Sequence, residues 1–250
     1  MLAIERREKI KEILFEDKSV LVSDLAKQFS VTEETIRRDL KKFEQDGLLT
    51  RTYGGAFIQN GTENDVEYSL RISAFVDSKN IIAKKCLTVI KNGDSIFLDS
   101  STTAYYIAKA IKHLRLTVLT NSILIINELT NLENIRLVAI GGHFNSRSMS
   151  FISKTTMDML DMYYLDKVFI SCRSLSIEDG IMDSTEILAE LRQKVCTRSK
   201  NTYLIADYSK FNKNSFVKIC DYKEIVGIIS DYEYDDDWKE LAKDKNIKLI

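Results

Sequence analysis

Arg37, Arg38 and Lys41 stand close together in a segment whose apolar residues Ile36, Leu40 and Phe43 recur at helical spacing. Stepping 100° per residue from Ile36 puts Leu40 and Phe43 on the same side, and the opposite side carries Glu34, Arg37, Arg38 and Lys41. Guanidinium groups match guanine edges and a lysine ammonium matches phosphate, so such a face has the chemistry to read a DNA major groove. A solvated charged face on an ordinary helix has the same composition. Charge counting does not separate the two, because residues 1–60 hold 11 Lys+Arg and 11 Asp+Glu; only the stretch from Thr35 to Tyr53 is basic, with five positive against three negative.

A second set of residues has the chemistry of anion and hydroxyl binding. Asp99-Ser100-Ser101-Thr102-Thr103 runs directly into a helical pattern, and hydroxyls with backbone N–H groups at a helix start form a cradle for phosphate. Capping of that helix by serine and threonine is the plainer reading of the same residues. Thr120-Asn121-Ser122 follows the apolar run Thr117-Val118-Leu119, and Gly141-Gly142 follows Leu137-Val138-Ala139-Ile140, where absent side chains let a backbone approach a ligand or turn tightly. Asp207-Tyr208-Ser209-Lys210-Phe211 offers a carboxylate for hydroxyls and a cation for phosphate. All four stretches sit where candidate strands end, which is where open α/β sheets bind ligands.

The elements that must position these groups are legible in outline. The first 57 residues read as three short helices and a hairpin, with Thr32 as N-cap of the third helix, Glu33 and Glu34 at its positive end and Gly47 where it should stop. Leu48 to Phe57 reads as two short strands around a turn. The polar stretch from Ile58 to Asp65 opens a linker taken as residues 58–76, and an α/β domain follows over 77–250. Strands are predicted at Ser95 to Leu98, Leu116 to Leu119, Ile135 to Ile140, Lys167 to Ile170, Thr202 to Ala206 and Ile225 to Ile229. Helices are predicted at Ala104 to Ile111, Ile123 to Leu129, Thr155 to Met162 and Glu186 to Arg198. Short apolar strands separated by helices call for a mainly parallel sheet covered on its faces.

Composition bounds the partners. A net charge of -1 over 250 residues gives no chain-wide attraction to nucleic acid or membrane, so any DNA affinity must be local. Cys86, Cys172, Cys196 and Cys220 are widely spaced, and with only His113 and His143 beside them a zinc site is not expected. Reduced thiols, a charged N-terminal stretch and the absence of a run of roughly 20 apolar residues point to a cytoplasmic protein without membrane contact.

The run Val22-Ser23-Asp24-Leu25-Ala26, then Val31-Thr32-Glu33-Glu34-Thr35-Ile36-Arg37-Arg38-Asp39-Leu40, then Gly47-Leu48-Leu49 and Gly54-Gly55-Ala56, resembles the winged helix-turn-helix signature of the DeoR/GlpR family of bacterial transcription regulators over its whole length. The resemblance implies a recognition helix that meets DNA through Thr32, Glu34, Thr35, Arg37, Arg38 and Lys41, and a wing bearing Arg51 and Tyr53 beside the backbone. Asp39 would be repelled by phosphate, so a structural ion pair or cap is expected of it. From about Asp77 to Asp231 the chain is similar to the DeoR C-terminal sensor domain, related in fold to ribose-phosphate isomerases and CoA transferases. The matching pieces are Ile96-Phe97-Leu98-Asp99-Ser100, Thr120-Asn121-Ser122, Gly141-Gly142, Asp166-Lys167 and Ala206-Asp207 with Ser209-Lys210-Phe211.

That resemblance implies a sugar phosphate or similar phosphorylated metabolite as effector. The sequence departs from the family at Ser101, where glycine is usual, near Ser153, where the family carries a glycine, and at Ser171-Cys172-Arg173-Ser174, which replaces a glycine-rich turn. Added side chains narrow a pocket, whereas Arg173 adds a cation able to grip phosphate with two N–H groups. Arg192 stands where a lysine is common. The expected function is a sequence-specific DNA-binding regulator, a repressor of carbohydrate genes, with double-stranded operator DNA and a phosphorylated metabolite as partners. It would have no catalytic residues, cofactor or metal, and would act as a homo-oligomer, because one short recognition helix buries too little DNA for tight binding. Two alternatives stay open: an isomerase-like enzyme using Asp99 or Asp207 as base and Lys210 as electrophile, and a constitutive DNA-binding protein whose sensor fold serves only for oligomerisation.

Overall fold

The computed structural model describes residues 2–17, 19–46, 48–57 and 68–250 and divides into two units, Met1–Val76 and Asp77–Ile250. The first unit runs α1 (Ala3–Asp17), β1 (Ser19–Leu21), α2 (Val22–Phe29), α3 (Glu33–Gln45), β2 (Thr50–Arg51), β3 (Gly55–Phe57) and α4 (Tyr68–Ser73). Its core gathers Ile10, Leu14, Leu25, Phe29, Ile36, Leu40 and Phe43, so the apolar stripe of α3 faces inward as its spacing requires. Truncating one such side chain to alanine costs about 2–5 kcal/mol.

β1 was too short to show in the sequence, yet it completes a three-stranded antiparallel sheet in the order β1-β3-β2. Gly47, expected to end the third helix, lies outside the described residues; α3 ends at Gln45 with Asp46 as its cap. Residues 58–67 of the expected linker also lie outside them. The remainder of that stretch is not a spacer. Tyr68–Ser73 is helical, Ala74 and Phe75 are buried in the first unit's core, and the Phe75 ring meets Phe15 edge-on at 5.6 Å, because apolar and aromatic side chains gain by burial there.

The second unit is an α/β layer structure. In chain order it holds α5 (Val76–Cys86), β4 (Ser95–Leu98), α6 (Thr102–Ala110), β5 (Leu116–Thr120), α7 (Ile123–Leu129), β6 (Ile135–Ala139), β7 (Phe144–Asn145), β8 (Ser150–Phe151) and α8 (Lys154–Leu160). It continues with β9 (Leu165–Ile170), β10 (Ser174–Ser176), β11 (Gly180–Asp183), α9 (Glu186–Cys196), β12 (Ser199–Ile205), β13 (Val217–Cys220), β14 (Gly227–Ile229), α10 (Asp236–Lys245) and β15 (Lys248–Leu249). Seven of these strands form one parallel sheet in the order β15-β14-β12-β9-β4-β5-β6. Both faces are covered. Phe97, Val168, Ile170, Leu204 and Ile228 enter one core, while Ile96, Leu98, Phe169, Tyr203, Ile205 and Ile229 enter the other.

Strand order decides where a site can form. From β4 the chain builds outward through β5 to β6, then returns to place β9 on the other side of β4 and continues to β12 and β14. The direction of growth reverses between β4 and β9. At such a switch point the turns leaving the two strands diverge and open a crevice at their carboxyl ends.

Candidate DNA interface and effector site

The N-terminal turn motif is built locally. Ser30 closes α2 in the left-handed region (φ 52°), and the Val31 N–H donates to the Ala26 carbonyl at 3.0 Å, turning the chain sharply into α3. Thr32 then caps α3: its hydroxyl accepts the Thr35 N–H at 3.3 Å and lies 3.0 Å from the Thr35 hydroxyl. Glu34, Arg37, Arg38 and Lys41 are all exposed on the outward face. Arg37 is partly engaged, with a guanidinium nitrogen 2.7 Å from Glu33 one turn back. Asp39 turns the other way and is buried, accepting from Arg6 Nε at 2.8 Å, with Arg7 Nε at 3.6 Å from its second oxygen. It therefore ties α3 to α1 and takes no place on the outward face.

The hairpin β2–β3 is fastened to this frame at three points. Gly55 packs so closely on β1 that a Cβ would sit 2.1 Å from the Val20 carbonyl oxygen, so only glycine fits. The Val22 N–H, at the uncapped start of α2, donates to the Gly54 carbonyl at 2.9 Å. Glu44 of α3 accepts both the Arg51 N–H at 3.2 Å and its Nε at 2.7 Å, and this bonding to Arg51 holds the Glu44 carboxyl below its usual pKa. Glu44 had no special mark in the sequence. Between hairpin and helix lies a cleft of about 390 Å³ lined by Arg37, Arg51 and Tyr53, and Tyr53 is fully exposed at its rim. Two guanidinium groups flanking a groove, with an aromatic ring beside it, are suited to a phosphodiester backbone.

In the second unit the switch point is organised by Asp99, which is 1% exposed. One carboxylate oxygen accepts the Ser101 N–H at 3.0 Å; the other accepts the Ser171 N–H and Arg192 Nε, each at 2.9 Å. Asp99 thus links the turns after β4 and β9 on both sides of the crevice. Arg192 also pairs with Asp183, and both carboxylates are buried. With a carboxylate on each side, the Arg192 guanidinium is fully engaged inside the protein, and one of its contacts holds Asp99. Asp183 could not be picked out from sequence, since β11 is short and no local pattern marks its pairing with Arg192.

The other expected groups lie along the same carboxyl edge. Ser101 caps α6 by accepting the Ala104 N–H at 3.1 Å. Ser100, Thr102 and Thr103 are buried beside it, and the first N–H groups of a helix have no partner within the helix. Thr120 is fully buried and consumed, donating to the Leu98 carbonyl at 2.7 Å and accepting the Ser122 N–H at 3.1 Å. Asn121 donates to the Phe151 carbonyl at 3.0 Å, while its buried carboxamide oxygen has no hydrogen-bond partner. Ser122 caps α7.

Across the switch point, Asp207 caps a short turn of helix, accepting from the Ser209 N–H at 3.1 Å and from the Ser209 hydroxyl. Lys210 ends that turn, and Arg173 leaves β9 toward β10, its N–H donating to the Met182 carbonyl at 2.9 Å. The thiol of Cys172 reports which charges meet. Burial pushes its pKa up to about 12, and Lys210, Arg192, Asp207 and Asp99 all act on it. Those four groups therefore lie within electrostatic reach of the Cys172 thiol. Gly141-Gly142, after β6, stands two strands from Asp99, after β4, and four from Asp207, after β12, the latter about 19 Å at a strand spacing of about 4.8 Å. Gly142 has a structural reason of its own: at φ +149° a Cβ would lie 2.1 Å from the Thr156 hydroxyl and 2.7 Å from that of Ser153.

Residues 6–62 match the DeoR-like helix-turn-helix domain, and residues 74–232 match the DeoR C terminal sensor domain. The chain belongs to the DeoR family of transcriptional regulators. It is 39% identical over 249 residues to an uncharacterized HTH-type transcriptional regulator of Bacillus subtilis (strain 168), YulB, spanning 100% of this chain and 96% of that protein. It is also similar to an L-fucose operon activator of Haemophilus influenzae (31% identity; 92% of each chain) and to a lactose phosphotransferase system repressor of Staphylococcus epidermidis (28%; 91% of each). In this DeoR-family chain, then, α2 and α3 are the helix-turn-helix, the β2–β3 hairpin is its wing, and the parallel sheet belongs to the sensor domain. Among the described residues no helix is long and apolar enough to cross a membrane, and no group of three or more His, Cys, Asp and Glu could hold a metal ion.

Proposed function

We propose that this DeoR-family protein is a sequence-specific repressor of carbohydrate-metabolism genes, without catalytic activity, whose affinity for operator DNA is set by a phosphorylated sugar or similar metabolite. Specific reading falls to Arg37, Arg38 and Lys41, supported at the helix start by Thr32, Glu34 and Thr35, and Arg51 and Tyr53 meet the backbone. The protein works as a homodimer or higher oligomer in the cytoplasm, each recognition helix supplying one half-site. The sugar reading draws support from the fucose and lactose regulators to which the chain is similar. Those two act in opposite senses, so a reporter fused to the operator decides between repression and activation.

The observation that supports the sensor reading is that Asp99, after β4, and Asp207 and Lys210, after β12, lie within electrostatic reach of Cys172, which follows β9 between those two strands. The start of α6 and the Lys210 ammonium supply the phosphate contacts; the unpartnered Asn121 carboxamide oxygen extends the crevice toward hydroxyl groups, with Thr120 and Ser122 holding its turn in place. Asp99 has its oxygens committed to Ser101, Ser171 and Arg192, which leaves it ill-suited to act as a general base and weighs against an isomerase. Calorimetric titration of the wild type and Lys210→Ala with sugar phosphates and their unphosphorylated parents tests this. Phosphates should bind, parents and the variant should bind more weakly, and saturating ligand should change DNA affinity by about 5-fold to 150-fold. Equal binding of parents and phosphates refutes the sensor. On the DNA side Arg38→Ala should lose about 1–3 kcal/mol on the specific site, with a smaller, sequence-independent loss for Lys41→Ala; two variants at wild-type affinity in a gel shift would remove α3 from the role.

A further inference from the structure

Lys210 sits on a loop fixed with unusual thoroughness from the C-terminal segment. Phe211 stacks face to face on Tyr232, with ring centroids at 4.1 Å and planes within 3°, and meets Trp238 edge-on at 5.0 Å. Asn212 follows in the left-handed region at φ 56°, a conformation asparagine tolerates. Its carboxamide oxygen accepts the Trp238 indole N–H at 3.0 Å and its amide donates to the Tyr232 hydroxyl at 3.3 Å. That hydroxyl donates to Asp235 at 3.2 Å, and Asp235 in turn caps α10 by accepting the Trp238 N–H at 3.0 Å. The four residues close a ring of hydrogen bonds.

A core role explains Phe211 and Trp238, which are buried, but not Asn212. Its side chain is exposed and adds little burial, yet it joins two aromatic polar tips to the loop two residues from Lys210. The same loop is tied on its other side to β10 through a bridge between Leu175 and Phe211, with the Lys213 N–H on the Leu175 carbonyl at 3.3 Å, close in sequence to Arg173. Fixing a backbone before a ligand arrives lowers the ordering cost of binding.

We infer that Asn212, with Trp238 and Tyr232, positions Lys210 for its ligand, so that the C-terminal helix tunes the sensor site. The inference rests on the reading that Lys210 meets a phosphorylated effector. It also makes Trp238, the single tryptophan of the chain, a built-in reporter of that site.

The test uses the full-length protein and two variants. Asn212→Gly keeps the left-handed backbone and removes the amide; Trp238→Phe keeps a ring and removes the indole N–H. Amide hydrogen exchange without ligand should quicken about tenfold at Lys210 and Phe211 in both, with β12 unchanged and the unfolding temperature of Asn212→Gly within about 2 °C of wild type. Titration with inorganic phosphate, glucose 6-phosphate and fructose 6-phosphate should show affinity about 3- to 10-fold weaker in each variant, the worth of a lost hydrogen bond. The Trp238 emission change on ligand saturation should appear in wild type and shrink in Asn212→Gly. Unchanged exchange overturns the positioning, as does faster exchange with wild-type affinity. If the wild type binds none of the probes, the sensor reading falls and the role of Lys210 with it. That outcome is distinct, because the exchange measurement involves no ligand.

Discussion

Replacing Asp39 by alanine strips the buried Arg6 guanidinium of its carboxylate, and the contact allows the cost to be worked out. At 2.8 Å the gross attraction is about 6 kcal/mol for an effective dielectric near 20. Desolvation of two ions that are each about nineteen parts in twenty buried offsets most of it, so the intact pair contributes little net. Removing one partner is a different matter, because Arg6 stays buried without compensation and the loss is about 3–5 kcal/mol. Arg7, at 3.6 Å and with a quarter of its side chain in solvent, loses little when Asp39 goes, since water solvates it. The first unit, Met1–Val76, has a stability of only about 4–11 kcal/mol at 0.05–0.15 kcal/mol per residue. Asp39→Ala should therefore unfold much of the DNA-reading unit near body temperature, although Asp39 lies on the inward face of α3. Calorimetry on the full chain should show the transition of the first unit shifted far down and that of the second unchanged, with operator affinity in a gel shift lost in step. Arg6→Met combined with Asp39→Leu should recover most of the stability by replacing the pair with apolar contact. A loss below about 1 kcal/mol, or a double variant no better than the single, would refute this account of the ion pair.

The wing offers a paired test. Gly55→Ala forces a methyl to within 2.1 Å of the Val20 carbonyl and should cost about 1–3 kcal/mol and weaken DNA binding, whereas Gly54→Ala, with nothing within 4 Å, should leave both unchanged; thermal unfolding and gel shifts read the difference. Arg192→Met should lower the stability of the second unit by about 3–5 kcal/mol, seen as a downward shift of its calorimetric transition, because Asp99 and Asp183 are left buried together without a cation. The Asp166 carboxyl accepts the Ser95 N–H at 2.9 Å and the Ser95 hydroxyl at 2.7 Å, and these bonds hold its pKa below the usual value. A depressed folded pKa contributes stability that is present above the unfolded pKa of about 3.9 and is lost as pH falls through the folded value. Asp166→Asn should thus be less stable than wild type near neutral pH, and the gap should close in denaturant titrations at the acid end; a gap independent of pH would contradict the assignment.

The amino-acid sequence by itself determined those features whose signals are local. The stripe Ile36, Leu40 and Phe43 dictates which face of α3 is buried, and therefore that Arg37, Arg38 and Lys41 are left outside. The six short apolar strands separated by helices call for a parallel sheet, and each coincides with a strand of the seven-stranded sheet. Only the tertiary structure decided what depends on pairing across the chain. β1 is three residues long and gains meaning only when β3 lies against it; residues 68–76 look like a connection until Phe75 meets Phe15. The four polar turns look equivalent in sequence, but strand order puts Asp99 at the reversal of the sheet and Gly141-Gly142 about 19 Å from the end of β12. Arg192 reads as a free cation until Asp183, nine residues earlier, and Asp99, far upstream, close on it. Periodicity is a property of neighbours along the chain and survives in one dimension; the partner of a buried charge is set by which strands lie side by side, and no local pattern records it.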